Sequence, residues 1–112
     1  MENYIKQKIE TKKTARYFMS RPITNKTKQV WIVLHGYGMN AGIFLQKFEP
    51  LFSDQLVFVA PEALNRYYVK GSSGHVGASW MTKEERLDEI NDYVNYLDKV
   101  TASLQAPCYC YG

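Results

Sequence analysis

Val30-Trp31-Ile32-Val33-Leu34-His35-Gly36-Tyr37-Gly38 joins an uninterrupted apolar run to a glycine-rich turn. A continuous run of this kind reads as a strand buried on both faces, which is the signature of a parallel sheet. Asn40 follows and predicts a helix cap. The helix after it carries Ile43, Phe44, Phe48, Leu51 and Phe52 on one side, with Pro50 ending its regular part. Leu56-Val57-Phe58-Val59-Ala60 is a second buried strand, closed by Pro61. Strand, helix and strand predict a βαβ unit with parallel strands and a right-handed crossover.

Upstream, residues 4–12 alternate, with Ile5, Gln7 and Ile9 on one face and Lys6, Lys8 and Glu10 on the other. Residues 15–20 alternate again, so the two runs predict an antiparallel strand pair. Downstream, residues 61–81 read as one long connection containing Gly71, Gly74 and Gly77. Loops of that length are functional or disordered, and Tyr67, Tyr68 and Trp80 argue against disorder. Thr82 and Glu85 have capping-box spacing. The helix they introduce shows Leu87, Ile90, Val94 and Leu97 on one buried face and runs to about Ser103. Pro107 leads into a last strand that ends at Gly112.

The chain has 112 residues, enough for one domain at most. Its 46% hydrophobic and 22% charged content is that of a globular protein. The net charge of +3 owes much to Lys6, Lys8, Lys12, Lys13 and Arg16, which read as a solvated sheet edge and not as a nucleic-acid face. No run approaches membrane-spanning length, and no apolar signal core opens the chain. Cys108 and Cys110 are two apart, read as small buried thiols, and point to a reducing, cytoplasmic setting.

The glycine turn has three readings. Gly36 to Ala41 matches G-x-G-x-x-A, with Glu62 near the place of a ribose-binding acid, as in a dinucleotide site. Alternatively, the two glycines turn the Tyr37 amide outward, as an oxyanion hole requires. The third reading is a plain connecting turn. Gly71-Ser72-Ser73-Gly74-His75 departs from G-x-S-x-G at its last position. A triad of Ser73, His75 and Asp88 lacks any sign of convergence. His75, Asp88 and Asp92 do not have metal-ligand spacing.

The segment from Val30 to Gly38 resembles the oxyanion segment of the phospholipase/carboxylesterase family of α/β-hydrolases. Phe58 to Glu62 is similar to that family's next strand and its exit. Gly77-Ala78-Ser79-Trp80-Met81, with Arg86, Glu89, Ile90, Asp92, Tyr93, Tyr96 and Leu97, is similar to its tryptophan loop and following helix. The resemblance implies an α/β protein: a partial α/β-hydrolase fold with an N-terminal antiparallel strand pair, then parallel strands with crossover helices. Residues 1–112 would be the N-terminal part of one domain, ending at the strand before the nucleophile elbow, with Gly112 opening G-x-S-x-G.

The implied chemistry is hydrolysis of a small carboxylic ester or thioester through an acyl-enzyme, without metal or cofactor. Tyr37 would supply an oxyanion N–H, and His35, Gly36 and Gly38 would hold the turn. Trp80 would wall the substrate pocket, with Tyr67 and Tyr68 as neighbours. The triad would lie past Gly112, so the chain alone is expected to be inactive. The bare edge of the last strand is expected to favour self-association. A dinucleotide-binding domain and a noncatalytic module remain as alternatives.

Overall fold

The computed structural model describes residues 3–70, 74–104 and 108–111. Gly71, Ser72, Ser73, Pro107 and Gly112, and with Ser73 the Ser73, His75, Asp88 constellation, lie outside the described residues.

Strands and helices are mixed, with two small sheets. The larger contains β1 (Tyr17–Met19), β2 (Gln29–Val33), β3 (Leu56–Pro61) and β6 (Cys108–Tyr111), in the order β1-β3-β2-β6. β2 runs parallel to both β3 and β6, and β1 pairs antiparallel with β3. The register sets Val30 beside Val57, Trp31 beside Phe58 and Ile32 beside Val59. Because side chains alternate across a strand, the two faces then collect different sets. Val30, Ile32, Val57 and Val59 pack with Val100 and Leu104 of α2 (Arg86–Leu104). Val33, Phe58 and Ala60 pack with Ala41 and Leu45 of α1 (Ala41–Gln46) on the opposite face. This two-sided burial is why β2 and β3 read as unbroken apolar runs.

Asn40 caps α1, its side chain accepting from the Gly42 and Ile43 amides at 2.9 and 3.2 Å. The helix ends before Pro50, which sits in a 3-10 turn at Glu49–Leu51. Its inner side consists of Ala41 and Leu45 with Phe44, Phe48 and Phe52, whereas Ile43 and Leu51 face solvent.

Five expectations are corrected. Residues 4–12 form no ladder and no antiparallel pair. They make an extended, exposed strap, with Ile5 and Ile9 in solvent. A strand needs a partner edge, and the lysines of this run find acids instead. Lys6 pairs with Glu85, and Lys8 reaches Glu85 at 3.0 Å and Asp88 at 2.8 Å. The strap helps to raise the radius of gyration to 16.5 Å, against about 13 Å for a compact chain of this length.

Residues 61–81 are not a loop. They contain an antiparallel hairpin of β4 (Asn65–Tyr68) and β5 (Val76–Ser79). Nor does Thr82 form a capping box with Glu85, whose φ of 51° takes it out of helical geometry. The Thr82 amide and hydroxyl instead donate to Glu89 at 2.7 and 2.9 Å. The buried stripe of α2 is rotated away from Leu87 and Val94, which are exposed, toward Tyr93, Tyr96, Val100 and Leu104. That rotation lets the two tyrosines meet Trp80. Finally, the Cys110 thiol is free and exposed, not buried as expected; β6 lies at the end of the sheet among the described residues.

Candidate active site at the glycine turn

Residues Gly36 to Met39 leave the C-terminal end of β2, where parallel α/β sheets place their ligands. The Met39 amide donates back to the Gly36 carbonyl at 3.2 Å, closing a four-residue turn. Gly38 has φ +74°, whereas Tyr37 is not in the positive region. A positive φ at the third residue only defines a type II turn. In such a turn the amide of the second residue is not used by the turn itself. The Tyr37 N–H accordingly has no acceptor among the described residues.

The turn is held from two sides. From inside, His35 is buried and bonded at both ring nitrogens. The Ala63 amide donates to Nε2 at 3.0 Å, so Nδ1 carries the proton and donates to the Gly36 carbonyl at 2.8 Å. This pattern assigns the neutral Nδ1–H tautomer. The Trp80 Nε1–H donates to the His35 carbonyl at 3.0 Å, and its ring stacks on His35 with centroids 5.2 Å apart. Tyr93 meets the same indole edge-on at 5.8 Å.

From outside, the hairpin is stitched to the turn. Gly38 N–H donates to the Ala78 carbonyl at 2.9 Å, and Ala78 N–H donates to the Met39 carbonyl at 3.1 Å. This approach requires Gly77: a Cβ there would lie 2.2 Å from the Gly38 oxygen. The hairpin also brings Tyr67 against Tyr37, with centroids 5.7 Å apart. Tyr68 alternates to the other side of β4 and is half exposed.

Two pairs therefore form among the residues expected at the site: His35 with Trp80, and Tyr37 with Tyr67. Trp80 is occupied as a prop beneath the turn.

Glu62 is buried beside this assembly, its carboxylate turned to the protein. Arg16 Nε donates to it at 2.6 Å and Nη2 at 3.2 Å, and the Ala41 amide donates at 3.3 Å. Burial alone would raise the Glu62 carboxyl. The Arg16 hydrogen bond, the Ala41 amide and the nearby positive charge outweigh it and hold the carboxyl below its ordinary value. Tyr96 locks the Arg16 segment by donating to the Arg16 carbonyl at 2.9 Å, and burial pushes that phenol up to about 12.

Gly77, Arg16 and Tyr96 were not expected at this site. Gly77 had a signal: Gly74 separates two short runs rich in strand formers, as in a hairpin. The Arg16–Glu62 pair, 46 residues apart, had none.

No protein-family model matches the chain, and no curated protein is significantly similar to it.

Proposed function

We propose that the glycine turn is half of an oxyanion hole, in an esterase or thioesterase of α/β-hydrolase type that works through an acyl-serine. The single observation carrying this reading is the Tyr37 N–H, unsatisfied in a type II turn that is fixed on both sides. Oxyanion stabilisation depends on donors that are already oriented before charge develops. The parallel β2–β3 pair with α1 between them supports the same assignment. The dinucleotide reading is less well supported. It asks Glu62 to meet a ribose, and that carboxylate is engaged by Arg16 and Ala41.

This reading leaves the nucleophile, acid and histidine of the triad unassigned among the described residues. Among the described residues no serine hydroxyl is hydrogen-bonded to a histidine. The free Cys110 thiol fits a reducing, cytoplasmic setting. Among the described residues no helix is long and apolar enough to cross a membrane. The open edge of β6 would allow self-association, which size-exclusion mass measurement reads directly.

The test is expression of the reading frame through and past Gly112. The product should hydrolyse p-nitrophenyl butyrate and label with a fluorophosphonate, whereas the 112-residue chain alone should do neither. Tyr37→Pro is the decisive variant. Proline suits the second position of a type II turn and deletes the amide donor. It should lower kcat about 10²–10³-fold, with a stability loss limited to about 1 kcal/mol for the Tyr37–Tyr67 ring contact that it also removes. Full activity in that variant rules the oxyanion role out.

A further inference from the structure

We propose that the Tyr67 hydroxyl is a second hydrogen-bond donor to the acyl oxygen at the glycine turn, acting beside the Tyr37 amide; this rests on the oxyanion reading. The Tyr67 oxygen is buried and has no partner in hydrogen-bond geometry among the described residues. A buried hydroxyl left this way is costly, and phenylalanine would give the same ring contact without that cost. The hydroxyl lies over Gly38, 3.3 Å from where a Cβ on that residue would be. The Gly38 N–H is turned away to the Ala78 carbonyl. Two donors without acceptors, the Tyr37 amide and the Tyr67 phenol, therefore border one glycine.

The phenol also keeps its proton. Its contact with the Tyr37 phenol, and then its burial, push it up to about 12. That contact falls short of a full hydrogen bond, so the Tyr67 oxygen remains the unpaired one. The Tyr37 ring is largely in solvent and covers Tyr67 from outside. An entering carbonyl would displace that cover and find the phenol behind it.

The test uses the 112-residue chain and butyrate, whose carboxylate mimics the oxyanion. Butyrate is titrated while the Tyr37 amide proton and the Tyr67 ring protons are followed by NMR. Both should shift with one saturation curve. Tyr67→Phe keeps the ring and should bind at least tenfold more weakly, as expected for a lost hydrogen bond to a charged group. If butyrate shifts the Tyr37 amide equally well in Tyr67→Phe, the Tyr67 role is wrong and the oxyanion reading stands. If butyrate moves neither group in the wild type, the oxyanion reading fails and the Tyr67 role fails with it.

Discussion

Replacing Gly77 by alanine should undock the hairpin from the glycine turn. The added Cβ would sit 2.2 Å from the Gly38 oxygen, 2.6 Å from its carbonyl carbon and 2.9 Å from its Cα. All three are backbone atoms, so no rotamer change relieves the clash. What is lost is the seam itself: two backbone hydrogen bonds and the Tyr37–Tyr67 ring contact. At about 1 kcal/mol for each bond and a similar amount for the ring pair, the seam is worth about 3 kcal/mol. That corresponds to about two decades in a local opening equilibrium. Native-state hydrogen exchange reads it. The Gly38 and Ala78 amides should exchange about a hundredfold faster, while those of Val57 and Val59 in β3 keep their protection. Gly36→Ala is the control. Its Cβ would meet only the flexible Met39 sulfur at 3.4 Å, so it should change stability by no more than about 0.5 kcal/mol. Unchanged exchange at Gly38 and Ala78 in Gly77→Ala would refute the claim that the hairpin fixes the turn.

Three further outcomes follow from the ion pairs and the cap. Glu62 is held below its ordinary value, so its stabilisation is complete above the unfolded value of about 4.3 and is lost as pH falls through the lower folded one. Thermal melts should therefore fall on acidification below about pH 5, and more gently in Glu62→Gln; an identical acid slope counts against the buried pair. The strap obeys opposite signs at its two ends. Lys6 and Lys8 hold Glu85 down to about 2, so that contribution fades below the ordinary carboxylate value. Asp88 and Glu85 raise Lys8 to about 12, so its contribution fades only in strong alkali. Salt of about 0.5 M shortens screening to a few ångströms, so it should speed tryptic cleavage after Lys6 and Lys8, which the acids hold, without lowering the core melting temperature. Glu85→Gln should do so without salt. Asn40→Ala removes the cap of a six-residue helix and should cost about 1 kcal/mol in urea denaturation.

The parts of the fold legible in the sequence are those decided by neighbours in the chain. β2 and β3 announce themselves because burial on two faces leaves no polar position. Asn40 announces α1 because a cap acts two and three residues away. What stayed illegible depends on distant partners. Alternation in residues 4–12 promises a strand, but alternation creates two faces and no partner, and the acids of Glu85 and Asp88 claimed the lysines first. The spacing of Thr82 and Glu85 fits a capping box. The competing acceptor, Glu89, also binds Asn65 of the hairpin, and a hairpin read as a loop gives no reason to expect it. Glu62 was legible by position as a candidate ribose-binding acid, whereas its partner Arg16, 46 residues away, was not.

The same distinction separates a working turn from a connecting one. A strand-to-helix connection needs a glycine and a cap, and Gly38 with Asn40 would suffice. This chain adds a buried neutral histidine bonded at both nitrogens, a tryptophan beneath it, a glycine shaped to admit a hairpin and a phenol buried without a partner. Each has a cost in desolvation or in chain freedom, and the glycine turn gains no further backbone hydrogen bond at Tyr37 for it. Costs concentrated on one segment are what the proposed oxyanion role would require. A turn that only joined β2 to α1 would have no use for a phenol buried without a partner, and phenylalanine at position 67 would serve it as well.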